Sequence, residues 1–558
     1  MEFVTRMGKP LPQSVLKSAE RAKSDPVSRR EFLAVASAFG ASSATAYAML
    51  GMARPAQAQT QPALEKGGTV RMQMEVRALK DPRTYDWPQI ANFTRGWLEY
   101  LAIWENDGTF TPALLESWEI NDSATEYMLH VRKGVTWNDG SAFTAQDVAR
   151  NIEGWCDKTI EGNSMTGRFA TLIDDATGKA RAGAIEVLDP HTVKLTLPKS
   201  DITLIPGMAD YPAAITPEGF DPENMLQNPV GTGPYLPESL DVGIKGVLVK
   251  NPDHNWWGTE VFGGPYIDRL EYIDYGTDPL TWIEAAEAGE IDVLYSLGGD
   301  YIDIMNALDG WVENEIASAA TIVIRPNQLA EVNGKRPYAD RRVRKALQLA
   351  VDNAVLLELG YAGRGILAAN HHVGPMHPEY APVGLPETDP AAAKALMEEA
   401  GMGSYEHELI SIDDAWRKDT TDAVAAQLRD AGILVKRTIL PGTTFWNDWT
   451  SYPFSSTNWN ARPLGVQIWA LAYRSGEAWN EFGYANPAFD ALVSEALATA
   501  DVEARREIMA KGEKMLQDDG VTIQPYWRSL YNHTREGLVG AGHHIGFEYH
   551  PARMAWLA

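Results

Sequence analysis

Short runs in which apolar and polar residues alternate dominate the first half of the chain. Thr125-Glu-Tyr-Met-Leu-His-Val131 and Thr192-Val-Lys-Leu-Thr-Leu197 have the period of two expected of strands with one buried face. Arg132-Lys-Gly134 and Asn138-Asp-Gly140 supply turn chemistry between such runs. From about residue 390 the period lengthens to that of helices. Asp389-Pro390 reads as an N-cap and first-turn proline, and Gly401 closes that helix. Arg417 to Ala431 forms a second amphipathic helix, with a strand from Leu434 to Leu440 after it. Pro487 to Ala498 and Val502 to Gln517 are two more helices. Strand and helix alternating between about 405 and 520 predict an α/β lobe, and the first half predicts a different lobe richer in antiparallel sheet. No repeat and no low-complexity linker intervenes. Structured strands should therefore join the lobes, and such crossings make good hinges.

Composition narrows the class. The 558 residues include 49 Lys and Arg against 75 Asp and Glu, a net charge of −26 that argues against nucleic-acid binding. A charged fraction of 22% with 45% hydrophobic residues fits an ordered globular protein. The single Cys156 excludes an intramolecular disulfide and any thiolate metal cluster, and its place after Trp155 reads as a buried small apolar residue.

The first 58 residues stand apart. They carry eight basic residues against four acidic ones, so the 500 that follow hold a charge of about −30. Ser28-Arg29-Arg30-Glu31-Phe32-Leu33 resembles the twin-arginine export motif. A weakly apolar run from Leu33 to Met52 follows, and Ala56-x-Ala58 fits a signal-peptidase site. The run is too often interrupted by Ser and Gly for a stable membrane span. Export by the twin-arginine machinery, with cleavage near Ala58 and a periplasmic mature protein, is expected.

Several further blocks carry a family resemblance. Leu114-Leu-Glu-Ser-Trp-Glu-Ile-Asn-Asp122 leads through Tyr127-Met-Leu-His-Val-Arg-Lys-Gly-Val-Thr-Trp-Asn-Asp-Gly140 to Phe143-Thr-Ala-Gln-Asp-Val148. Pro229-Val-Gly-Thr-Gly-Pro-Tyr235, Asn251-Pro-Asp-His-Asn-Trp256 and Ala288-Gly-Glu-Ile-Asp-Val293 follow. Arg341-Arg-Val-Arg-Lys-Ala-Leu347 and Gly483-Tyr-Ala-Asn-Pro-Ala-Phe-Asp490 complete the order. Over residues 65–535 the chain resembles the extracytoplasmic solute-binding proteins of ABC transporters, family 5, the large oligopeptide, dipeptide and nickel-binding type. The residues also have readings of their own. Trp118 and Trp137 suit a core. Gly231-Thr-Gly-Pro-Tyr235 lacks the third glycine of a dinucleotide loop, because Leu236 stands there, and Pro234 has no amide to donate, so a tight structural turn is expected.

The resemblance implies a two-lobed, α/β, periplasmic-binding-protein-like fold (type II, large peptide-binding class) with an extra subdomain. Residues 59–320 would form most of lobe I, with a subdomain inserted at about 93–230. Residues 321–524 would form lobe II, and 525–558 would return to lobe I. Crossings are expected near Ala320-Thr-Ile-Val323 and Val521-Thr-Ile-Gln524, two β-branched runs. It further implies ligand capture between the lobes and delivery to membrane permease subunits, by a monomer that needs no cofactor.

Peptide-binding members are expected to hold the ligand's ammonium group with an aspartate in a block that here reads Thr457-Asn-Trp-Asn-Ala-Arg-Pro-Leu-Gly-Val466. That block has no acid, and Arg462 stands in it. A guanidinium fork suits a carboxylate, phosphate or sulfate and repels an ammonium, although Asp413, Asp414 or Glu481 offers an acid elsewhere. Trp459, Asn460, Arg462, Tyr473, Trp479 and Asn480 are the candidate wall of lobe II, with Tyr484 alongside. Arg83, Tyr85 and Trp87 are candidates in lobe I. Asn370-His371-His372-Val-Gly-Pro-Met-His377 invites a nickel reading, but adjacent histidines point apart in extended chain. A structured loop beside the cleft is preferred, with His371 as a candidate organic-ligand contact and no metal assigned. The solute is expected to be peptide-like or another anionic or amphipathic small molecule. A metal chelate, an opine-like or sugar-like ligand, or a sensory or chaperone module on the same fold are the alternatives. No Gly-x-Ser-x-Gly, His-Glu-x-x-His or triad-like cluster points to an enzyme.

Overall fold

Two long antiparallel strands, Trp311–Pro326 and Tyr526–Arg535, tie the molecule together. The computed structural model describes residues 3–23, 26–52, 63–377, 379–499 and 501–558. On one side of this pair the sheet continues through Val293–Leu297, Thr69–Gln73, Arg269–Ile273, Lys245–Lys250 and Tyr235–Asp241. On the other it continues through Phe454–Trp459, His407–Ile412 and Val435–Leu440. One sheet thus runs through two lobes, parallel where helices cross over and antiparallel at the hairpin of lobe I.

The strand Trp311–Pro326 changes partner along its length. Trp311 to Ala317 face Arg535 to Ser529, the register slips between Ala317 and Ala320, and Thr321 to Pro326 pair with Trp459 to Phe454. Its burial changes at the same place, from an exposed start to a fully buried run from Ser318 onward. Ser318 mends the slipped ladder: its hydroxyl donates to the Arg528 carbonyl at 2.9 Å and accepts the Ala320 amide at 3.0 Å.

A separate four-stranded antiparallel sheet, Leu115–Ile120, Glu126–Val131, Thr192–Thr196 and Ile185–Asp189, stands in the first half of the chain. Its central strand buries Tyr127, Leu129 and Val131 and leaves Glu126, Met128 and His130 less covered, as the alternation predicts. Trp118, Trp137, Trp155 and Cys156 pack in its core, and burial pushes the Cys156 thiol up to about 12. The turn at Gly231-Thr-Gly233 is structural. A Cβ on Gly231 would lie 1.9 Å from the Trp97 carbonyl oxygen, and one on Gly233 would lie 2.6 Å from that of Gly96.

In lobe II the helix Pro390–Glu399 starts where Asp389 accepts the Ala392 amide at 2.9 Å, and Gly401 follows at φ +72°. The helices Ala415–Asp430, Pro487–Leu497 and Val502–Asp519 cover the rest of that lobe. Ahead of both lobes the helices Gln13–Ala22, Pro26–Ala38 and Ser43–Met49 pack onto the body, where Trp118 Nε1 donates to the Ala38 carbonyl at 2.7 Å. Arg29 bonds the Ala22 and Lys23 carbonyls. Ala58 and the Arg30 side chain lie outside the described residues. Among the described residues, no helix is long and apolar enough to cross a membrane.

Candidate functional site

A cavity opens between the lobes and, with the open solvent at its mouth, takes in about 750 Å³. Lobe I brings Gln73 and Glu75 from the end of the first sheet strand, Trp87 and Gln89 from the start of helix Pro88–Thr94, and Tyr295. Lobe II brings Asp414, Trp416 and Arg417 from the start of helix Ala415–Asp430, with Asn458 and Asn460 from the end of strand Phe454–Trp459. Arg528 comes from the crossing strand. In lobe II these side chains sit where parallel strands end and helices begin, the place where open α/β sheets present ligand-binding groups.

The charges of the cavity are mostly paired. Glu75 accepts from Arg77 at 2.8 Å, and Arg77 lies over the Trp87 ring at 4.9 Å. Burial opposes ionisation of Glu75, but Arg77 and Arg417 outweigh it and hold the carboxyl below its usual range. Asp414 accepts from Arg417 at 2.6 Å, and Arg417 Nε donates to Asn458 Oδ1 at 2.8 Å. For Asp414, burial outweighs Arg417 and raises the carboxyl. Six buried polar atoms of this wall have no hydrogen-bond partner: Gln73 Oε1, Gln89 Oε1, Trp87 Nε1, Tyr295 OH, Asp414 Oδ1 and Arg528 Nε. Such atoms are rare in a finished interior and are ordinary where a ligand supplies the partner.

A second chamber of about 380 Å³ shares Trp87, Asn458 and Asn460 with the first. It is walled by tryptophan. Trp87 meets Trp446 at 4.0 Å, Trp449 lies 6.2 Å from Trp459, and Trp459 lies 5.7 Å from Trp479. Behind it, Glu481 is fully buried and accepts from Trp459 Nε1 (2.7 Å), Thr457 (2.6 Å) and Arg325 Nε (2.8 Å). These bonds fix the wall's orientation.

The expected contacts divide. Trp459, Asn460, Trp479 and Trp87 line the chambers. Arg462 does too, but Asp210 takes its Nε at 2.9 Å, and the Asn460 and Ala461 carbonyls take its NH1. Asp210 also binds Arg168 at 2.7 Å, so the fork at position 462 is engaged inside the protein. The other five lie outside both chambers. Arg83 pairs with Asp81, and Tyr85 is buried with its hydroxyl on Thr94. Tyr473 stacks on Phe482 at 4.3 Å, and the Asn480 amide bonds the Arg474 and Tyr484 carbonyls. The loop around His371 lines neither chamber: His371, His372 and His377 are buried, and the His372 ring packs behind Trp459 at 5.6 Å.

That histidine loop encloses two glutamates, Glu379 and Glu513, and His371 Nε2 lies 3.9 Å from Glu513 Oε2. Burial pushes Glu513 up to about 9 and His371 down to about 3, so both are neutral at pH 7 and form no ion pair. Among the described residues, no group of three or more His, Cys, Asp or Glu is placed to hold a metal. Glu513→Gln, a neutral isostere, should therefore change stability by no more than about 1 kcal/mol at pH 7. A loss above about 3 kcal/mol in urea melts would mean that a charged pair is buried there.

Sequence reasoning did not single out Trp416, Arg417, Trp446, Trp449, Tyr295 or Arg528 as site residues. Two signals were available: Asp413-Asp-Ala-Trp-Arg417 places charge and an aromatic at a strand-to-helix junction, and Arg528 interrupts the apolar strand Tyr526-Trp-Arg-Ser-Leu-Tyr531.

Residues 109–481 match the model of bacterial extracellular solute-binding proteins, family 5. The chain is 24% identical over 477 residues to the periplasmic oligopeptide-binding protein OppA of Salmonella typhimurium, covering 81% of this chain and 85% of that protein. Its structure resembles the murein tripeptide-binding protein MppA of Escherichia coli with a TM-score of 0.79 at 20% identity, over 89% of this chain and 99% of that one. It also resembles AgaA of A. tumefaciens R10, solved with agropinic acid, with a TM-score of 0.73 at 20% identity, over 86% and 98% of the two chains. The fold is the mixed α/β, two-lobed fold of these binding proteins. The family model spans about two thirds of the sequence, and the chain belongs to the family 5 extracellular solute-binding proteins.

Proposed function

We propose that the protein is the periplasmic receptor of an ABC importer, which takes a small organic solute into the interlobe cavity and delivers it to the permease subunits. The observation that carries this reading is the set of buried, unpartnered polar atoms converging on one cavity from both lobes and the crossing strand. A solute contacting both lobes binds the closed form more tightly than the open one, and the permease would read that difference. Residues 59–320 with 525–558 would form one lobe, with its subdomain at about 93–230, and residues 321–524 the other. The hinge would lie where Thr321 changes partners and where Ile324 and Ile523 exchange backbone hydrogen bonds at 2.8 and 2.9 Å. The leader with Arg29 and Arg30 would direct twin-arginine export and be removed near Ala58, and the mature receptor would act as a monomer without enzymatic activity.

The names of the relatives support a peptide-like solute, and the absence of an acid from residues 457–466 favours one without a free α-ammonium group. Both fit a receptor that binds and releases without chemistry. Protein taken from its own periplasm should release a small molecule on denaturation. Adding that molecule back at about 100 times its Kd should stabilise the protein by about 2.7 kcal/mol. Mass spectrometry should recover it unaltered after prolonged incubation; conversion to a product would sink the transport reading.

A further inference from the structure

We infer that the cavity selects a solute bearing a carboxylate, bound by the guanidinium of Arg528, with the uncharged remainder lying among amides and reaching the tryptophan chamber. This inference rests on the receptor reading and specifies its ligand.

Arg528 is only 3% exposed, yet among the described residues it forms no ion pair, and its Nε has no hydrogen-bond partner. Its guanidinium lies over the Trp416 ring at 3.9 Å, with Tyr361 at 5.6 Å and Phe547 at 5.9 Å. Aromatic faces steady a cation, and the Tyr361 side chain hydrogen-bonds this guanidinium, but none of them supplies a counter-charge or a partner for Nε. An uncompensated buried charge is expensive to keep, and burial lowers the basicity of this group. The neighbouring acids do not relieve it. Glu75 belongs to Arg77 and Asp414 belongs to Arg417. Counting those two pairs with Arg528, the cavity keeps one positive charge without an internal partner.

The opposite requirement, a free acid for an ammonium group, is not met in the same way, because both cavity carboxylates already hold a guanidinium. The remaining polar groups, Gln73, Gln89, Asn458, Asn460 and Tyr295, are neutral donors and acceptors suited to hydroxyl or amide groups. Through Asn458 and Asn460 the cavity opens to Trp87, Trp459 and Trp479, which suit a flat or apolar end. A fork-shaped donor, neutral amides and an aromatic chamber in sequence describe an organic acid with a polar middle.

A thermal-shift panel of small carboxylic acids, each paired with its primary amide, and of free amines tests this on the purified protein. Acids should raise the melting temperature where their amides do not. Arg528→Gln should weaken those acids at least 30-fold, and Arg528→Lys, which keeps the charge but not the fork, about tenfold. The melting temperature of ligand-free Arg528→Gln should equal or exceed that of wild type, because an unpaired buried charge has gone. A ligand-free variant that melts much earlier makes Arg528 a structural residue and overturns the inference. Equal stabilisation by acids and amides, stabilisation by amines, or undiminished acid binding by Arg528→Gln also overturns it and leaves the receptor reading standing. If no panel member stabilises the protein and nothing is released from periplasmic material, the receptor reading itself fails.

Discussion

Glu481→Ala is expected to cost about 3–5 kcal/mol of stability, because it strands a guanidinium in the interior of lobe II. Arg325 and Glu481 are both fully buried and meet at 2.8 Å. Arg325 also donates to the Tyr452 carbonyl at 2.5 Å and to the Trp449 carbonyl, while Glu481 accepts from Thr457 and Trp459. Without the carboxylate, the cation keeps two neutral acceptors and loses its charge partner, and the Trp459 indole loses its acceptor. Two tryptophans of the ligand chamber are thus held by one network, so tryptophan fluorescence should shift along with the urea midpoint. Glu481→Gln, which keeps shape and one acceptor, should fall between wild type and alanine. Replacing both partners with apolar residues, Arg325→Met with Glu481→Leu, should recover part of the loss, since no charge is then left unpaired. A loss under about 1 kcal/mol for Glu481→Ala would mean that water reaches Arg325 and that the network does not hold the wall.

Glu481 also illustrates what a sequence conceals. Its neighbours Trp479 and Asn480 made it a plausible acid for a ligand, yet its partner is Arg325, 156 positions away, on the strand that links the lobes. Arg462 is the same case: Asp210 lies 252 positions away in lobe I and takes the fork that looked free. Local signals were readable because their physics is local. The alternation in Glu126–Val131 follows from a strand with one wet face, and the Asp389 cap follows from amides that need an acceptor one turn away. The cavity has no such local rule. It gathers residues from eight separated segments, and only the register of the crossing strands brings Arg528 opposite Ala320 and within reach of Trp416. The tryptophan content gave the right kind of wall, and Trp459, Trp479 and Trp87 are in it. Tyr473 instead braces His372 with a 3.0 Å hydrogen bond behind that wall.

Acid should unfold this protein steeply, well before its surface carboxylates are protonated. Eight imidazoles are pushed below their ordinary range, in each case chiefly by burial. His371 and His543 fall to about 3, and His377, His407, His533 and His544 to about 4. His372 and His550 lie well below the usual value. In the unfolded chain each takes a proton near pH 6.5. As pH falls below 6.5 the unfolded state therefore binds protons that the folded state refuses, and stability drops until the folded values near 3–4 are reached. Buried carboxyls oppose this, because a raised carboxyl binds its proton in the folded state first. Glu513, raised to about 9, and Glu548, raised to about 7, act this way throughout the interval from 6.5 to 4.5. Glu99, Asp201, Asp274, Asp414 and Asp419 are raised by burial as well and add to the opposition as pH falls toward the ordinary carboxylate range. Eight imidazoles against these seven carboxyls leave a net uptake on unfolding that is largest above about pH 5.5, and each net proton is worth about 1.4 kcal/mol per pH unit. A slope of a few kcal/mol per unit, set against a total stability on the order of 5–15 kcal/mol, should lower the melting temperature by roughly 5 °C between pH 7.5 and 5.5. Calorimetry at constant ionic strength measures it. The resonances of these eight imidazoles in the folded protein should stay at their neutral positions down to about pH 5. A flat melting profile over that interval, or several of these eight histidines titrating near 6.5 in the folded state, would show that these rings reach water and that the interior around them is not dry.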